Sequence, residues 1–166
     1  SAEIANLVET IHQRSNGESR KASGTEAANL DVSQVNCTFY DALGRRNEEY
    51  LIARALQFFA PGVPQLYYVG LLAGVNDMDL LRRTGEGRDI NRHYYAAHEI
   101  EAGLQRPVVR KLFELIRFRN THAAFAGEFN LLPGSDQDLC IEWRNGSQSA
   151  RLEVDLKAMR GAITYS

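Results

Sequence analysis

Apolar positions recur at helical spacing in several stretches of the chain. In SAEIANLVETIHQR they are Ile4, Leu7, Val8 and Ile11; in NEEYLIARALQFFA they are Leu51, Ile52, Ala55, Leu56 and Phe59. NDMDLLRR carries a shorter set, and RPVVRKLFELIRFRN a stripe of Val109, Leu112, Phe113 and Ile116. Such spacing puts the apolar side chains on one side of a helix. Asn47 stands at an N-cap position with Glu48 and Glu49 in the first turn, and Pro107 at an N1 position. Two other patterns break from this. QLYYVG (65–70) follows the turn PGVP without polar alternation, which predicts a short strand buried on both faces, as in a parallel sheet. From Phe125 onward, GEFNLLP, LCIEWRNG, SQSARLEVDL and GAITYS show partial period-two alternation, and Asn145-Gly146 marks a hairpin. Trp143 is expected to pack on that sheet. NGESRKASGTEAANLDVSQVN, by contrast, is polar and aperiodic; at about 20 residues it predicts a long functional or disordered loop.

Helix, Pro-Gly turn, buried strand and polar loop form the alternation of an α/β fold, with antiparallel β structure after a boundary near Phe125. A full (β/α) barrel takes about 250 residues. The α/β portion therefore reads as the C-terminal part of such a barrel, followed by a small antiparallel β domain. The chain also opens within a helical pattern, like the interior of a longer protein. Its 166 residues are 44% hydrophobic and 24% charged with net charge -2, an ordinary globular balance. No Lys/Arg block suggests nucleic acid, and no run of about 18 apolar residues suggests a membrane span. Cys37 and Cys140 lack metal-ligand spacing and read as reduced, buried thiols of a cytoplasmic protein.

Candidate chemistry gathers in GRDINRHYY, just after the expected strand, where α/β folds collect ligand groups. Arg88 presents planar paired donors suited to hydroxyls, a carboxylate or a phosphate, and Asp89 could buttress it. A structural Arg–Asp network tying loop to barrel fits the same residues. Arg92 and His93 read as structural. A second cluster is Asn29-Leu30-Asp31-Val32-Ser33-Gln34, in which Asp31 and Gln34 could bind sugar hydroxyls or merely cap and turn the chain. His12, His98 and His122 read as solvated. No catalytic triad, phosphate-cradling glycine motif or metal motif is present.

LDVSQVNCTFYDALG, ARALQFFAPGVPQLYYVGLLAGVNDMDLLRRTGEGRDINRHYY and QRPVVRKLFELIRFRN together closely resemble the sucrose phosphorylases of the α-amylase superfamily. The resemblance implies a division into 1–44, part of an inserted loop-rich subdomain; 45–124, the last part of the barrel; and 125–166, the start of the C-terminal β domain. It implies cleavage of a glucoside with retention by double displacement, phosphate attacking a β-glucosyl-enzyme to give α-glucose 1-phosphate. The catalytic carboxylates of that pattern lie on earlier strands, so no catalytic residue is expected in this chain, and no activity from it alone. No cofactor and no metal are implied. Expected partners are the glucoside, inorganic phosphate and the rest of the same polypeptide, and the resemblance leaves room for a homodimer. Arg88 matches the arginine that holds the glucosyl unit, with Asp89, Asn91, Arg92 and His93 as its scaffold. Leu30, Asp31 and Gln34 match a loop that accommodates fructosyl or phosphate by turns. Ser33 departs from the pattern, which has tyrosine there. Relatives acting on glucosylglycerol, glucosylglycerate or sucrose 6-phosphate differ in the same loop, so the glucosyl donor is better supported than the aglycone. A non-catalytic carbohydrate-binding module is the reading from another class.

Overall fold

The computed structural model describes residues 1–23 and 35–166. In chain order the helices are α1 (Ala2–Arg14), α2 (Glu18–Ser23), α3 (Phe39–Ala42), α4 (Asn47–Phe59), α5 (Tyr68–Leu71), α6 (Met78–Thr84), α7 (Ala97–Gln105) and α8 (Pro107–Thr121). Single 3₁₀ turns lie at Gly87–Asn91 and Ala123–Ala126. Four strands follow: β1 (Glu128–Leu132), β2 (Asp138–Asn145), β3 (Gln148–Asp155) and β4 (Arg160–Tyr165). They form one antiparallel sheet in the order β1-β2-β3-β4. The chain is therefore helical first and closes on a small antiparallel β domain.

Two compact units interleave along the sequence: Ser1–Arg46 with Leu66–Arg106, and Asn47–Gln65 with Pro107–Ser166.

The second unit is made by the apolar patterns. α4 and α8 pack together and α4 also meets β2, β3 and β4. Ile52, Ala55, Phe58 and Phe59 are buried on α4, and Val108, Val109, Leu112 and Leu115 on α8. The buried stripe of α8 is thus turned from the expected one: Phe113 is exposed and Ile116 only half-buried. Alternation in β3 is regular, with Ala150, Leu152 and Val154 facing inward. Trp143 is buried and its indole Nε1 donates to the Phe59 carbonyl at 2.7 Å, so its packing role holds. The hairpin expected at Asn145-Gly146 joins β2 to β3, with Asn145 paired to Gln148. Its two-residue turn is Gly146-Ser147, one position later than the Asn-Gly pair, and Gly146 takes φ +58° as the first turn residue.

The first unit is irregular. α1 forms as expected, yet Ile4 and Leu7 are exposed and the buried member is His12, which was expected in solvent. Its Nδ1 lies 2.7 Å from the Ser19 hydroxyl, itself 2.7 Å from that of Ser15. Part of the expected loop is helical, as α2. The expected buried strand at 65–70 is absent: the chain enters α5 at Tyr68, and Tyr67 and Tyr68 are exposed. A strand needs a neighbour for its backbone groups, and no described segment of this unit is a strand; a short helical turn bonds those groups locally instead. Both cysteines are half-buried rather than buried.

Candidate functional site

The segment carrying Arg88 is held by backbone, not by a sheet. Asp77 caps α6, its Oδ1 accepting from Leu80 N at 2.7 Å. α6 ends at Gly85, whose φ of +72° gives the left-handed cap. The chain then passes so close to α2 that a Cβ on Gly87 would stand 2.1 Å from the Ala22 carbonyl oxygen, which requires glycine. Asn36 donates to that same carbonyl at 3.2 Å. Ile90 is fully buried, and its carbonyl accepts from the Asp77 backbone N–H at 2.7 Å.

Arg88 lies on this anchored 3₁₀ turn with its side chain exposed, and it forms no hydrogen bond or ion pair among the described residues. Asp89 faces Arg92 at 3.7 Å rather than Arg88. Asn91 is half-buried and Arg92 exposed. His93 has the densest contacts: Nδ1 lies 2.6 Å from Asp77 Oδ2, and Nε2 lies 3.2 Å from Glu99 Oε1. Glu99 Oε2 in turn accepts from the Ala96 backbone N–H at 2.7 Å where α7 begins. The Tyr68 hydroxyl donates to the His93 carbonyl at 3.0 Å, and the Tyr95 ring stands edge-on to the imidazole at 4.5 Å.

Electrostatics follow from these contacts. Burial disfavours charge on His93, but its bonds to Asp77 and Glu99 outweigh burial and raise its pKa. Burial likewise pushes Asp77 up, yet the Leu80 N–H and His93 bring it below the usual carboxylate range. Glu99 is lowered by the Ala96 N–H and then by His93. Tyr68 is pushed up to about 12 by burial and by Tyr67.

A cleft of about 780 Å³ opens beside this cluster, lined among others by Asp77, Arg82, His93, Tyr95, Glu99 and Arg106. Arg88 is not part of that lining. A second polar knot stands near it. Asp41, fully buried, accepts from Thr38 Oγ1 at 2.9 Å, Asn76 N at 2.8 Å and Arg45 Nε at 2.6 Å. Asn76 returns a bond to Thr38 N at 2.8 Å and donates to Glu18 at 3.0 Å. The Cys37 thiol beside it is pushed up to about 11, first by burial.

Leu30, Asp31, Ser33 and Gln34 lie outside the described residues. Among the described residues no cluster of three His, Cys, Asp or Glu suits a metal ion, and no helix is long and apolar enough to cross a membrane. Chemically, Asp77, His93 and Glu99 satisfy one another, while the Arg88 guanidinium has no partner among the described residues. Sequence reading missed Asp77 and Glu99. Their signals were an Asp directly before MDLL and a Glu three residues after Ala96, both helix-start patterns.

The chain is 55% identical to a sucrose phosphorylase of Agrobacterium vitis over 98% of its own length and 33% of that protein's. It is homologous to the sucrose phosphorylases. A sucrose phosphorylase of Bifidobacterium adolescentis is 52% identical over 93% of the chain and 31% of its own length. The chain thus spans about a third of the length of these sucrose phosphorylase relatives. Among solved structures, a sucrose 6F-phosphate phosphorylase from Thermoanaerobacter thermosaccharolyticum aligns with TM-score 0.78 at 48% identity, over 80% of this chain and 27% of that one. No family model matches the chain.

Proposed function

We propose that this chain serves as part of a retaining glucoside phosphorylase of the α-amylase superfamily, which converts sucrose and phosphate to α-glucose 1-phosphate and fructose. One observation carries the reading: identity of 55% to a sucrose phosphorylase extends over 98% of the chain. The geometry supports it, since an exposed Arg88 without partners among the described residues stands on a turn fixed at Gly87 and Ile90. Its part is to hold the glucosyl hydroxyls in one orientation while bonds at the anomeric carbon break and form. Asp89, Asn91, Arg92 and His93 make its scaffold. Leu30, Asp31, Ser33 and Gln34 belong to the loop that meets the leaving group and then phosphate. The nucleophile, the acid and the transition-state stabiliser come from the rest of the polypeptide. In this reading 1–44 belongs to an inserted subdomain, 45–124 to the end of the barrel and 125–166 to the β domain, in a cytoplasmic enzyme able to form a homodimer.

The test is release of glucose 1-phosphate by the full-length protein from sucrose, glucosylglycerol, glucosylglycerate and sucrose 6-phosphate, each with and without phosphate. Sucrose is the expected donor; no phosphate-dependent release from any of them would overturn the proposal. Arg88→Ala should lower kcat/KM roughly a hundredfold, the worth of one or two charge-assisted hydrogen bonds. Ser33→Tyr should change the use of fructose and glycerol as acceptors more than it changes glucose binding.

A further inference from the structure

The Arg88 turn and His93 both meet Asp77. That one residue bonds the turn's Ile90 carbonyl through its N–H, caps α6 through Oδ1 and meets His93 through Oδ2. His93 then reaches Glu99, which closes the first turn of α7. An imidazole between two carboxylates must donate from both nitrogens to satisfy both, and only the cation can do so. A neutral ring would aim a lone pair at one carboxylate. We propose that His93 is a positioning residue that acts as an imidazolium clasp: by bonding Asp77 and Glu99 together it locks the starts of α6 and α7, and through Asp77 it fixes the turn that presents Arg88. The importance of this for catalysis rests on the proposed role of Arg88; the clasp itself does not.

The surrounding charges leave this balance to the two carboxylates. On α6, Asp79 and Arg82 form an ion pair with each other. On α7, His98 adjoins Glu99 and lowers it further. From its own segment His93 meets the Tyr95 ring, and Arg92 is engaged by Asp89. From α5 it meets only the Tyr68 hydroxyl, at its carbonyl. Across the cleft, Arg45 pairs with Asp41 and Glu18, while Arg106 bonds the Leu72 and Ala73 carbonyls.

The sign follows from the geometry. The clasp is complete where both carboxylates are ionised and His93 is charged. It is lost as pH rises through the raised pKa of His93, and lost at the acid end as the carboxylates protonate. The test is histidine ¹⁵N NMR on the intact protein, read with amide exchange of residues 87–91. The unmodified protein should show His93 with both nitrogens protonated at pH 6.5 and a midpoint above the ordinary value of about 6.5. Asp77→Asn keeps the cap to Leu80 while removing the charge; it should lower the midpoint by about one unit and speed exchange in the turn about tenfold. Glu99→Gln should do the same to a smaller extent. A midpoint at or below about 6.5 in the unmodified protein would overturn the clasp, as would turn protection indifferent to both substitutions. These readouts need no substrate, so they stand or fall separately from the phosphorylase reading. If glucose 1-phosphate release is found, its alkaline limb should shift down with the NMR midpoint in Asp77→Asn. A limb that stays put would show that the clasp does not position Arg88.

Discussion

The two units of this chain are stabilised by different physics. In the unit of α4, α8 and the sheet, apolar side chains at regular spacing are buried, and the hydrogen bonds are mostly those of the ladder itself. In the unit bearing Arg88 the helices are mostly short, and buried polar groups, Asp41 and Asn76 foremost, join segments far apart in sequence. Apolar packing tolerates a poor fit at moderate cost, whereas a buried polar network is strong only when each member is satisfied. The unit that presents the candidate binding group is therefore the one whose order hangs on single hydrogen bonds. The turn that carries Arg88 gains a fixed direction from that arrangement, and it becomes vulnerable to single substitutions.

Four substitutions would break or sharpen the contrast. Phe59→Ala should have the largest effect, about 3–5 kcal/mol of stability in urea unfolding, because its ring is fully buried against Phe125 at 5.1 Å. Its damage should appear in exchange of the sheet amides. Asp41→Ala comes next, at about 2–3 kcal/mol, since it strands the Asn76 N–H and the Thr38 hydroxyl in the interior. Its damage should fall on residues 36–46 and 74–78. An Asp41→Ala protein as stable as the parent would remove the basis of the contrast.

The smallest effect is electrostatic and divides two histidines of the same unit. His12 is lowered by burial and by Arg20, so its fold favours the neutral ring. Its contribution is present above the ordinary histidine pKa and is lost as pH falls through that value toward the lowered one. His93 is shifted the other way, so its contribution is present in mild acid and lost on the alkaline side. His12→Gln should make stability less sensitive between about pH 7 and 5, whereas His93→Gln should flatten the alkaline side. Parallel acid responses of the two variants would contradict the assignment.

What sequence reading could reach follows the same divide. α4, α8, the strands and the β2–β3 hairpin are coded by spacing within a few residues, and Pro107 does start α8. The face of α8 was misread by about one position, because Leu115 rather than Ile116 completes the stripe set by Val108 and Leu112. QLYYVG failed because strand formation is settled by a neighbouring strand, which local pattern does not reveal. Arg88 could be picked out by type and position. Its supports could not, since Asp77 and His93 are 16 residues apart and meet only once the chain has folded back. His12 shows the same limit, being polar in type and buried in fact.

The chain has one tryptophan. Because the Trp143 indole is shielded and tied to the Phe59 carbonyl, its fluorescence is a built-in reporter on the sheet-containing half alone. Emission would shift only when that half opens, while a helix-weighted signal would follow both. Disagreement between the two curves would expose independent melting of the halves without any label being attached.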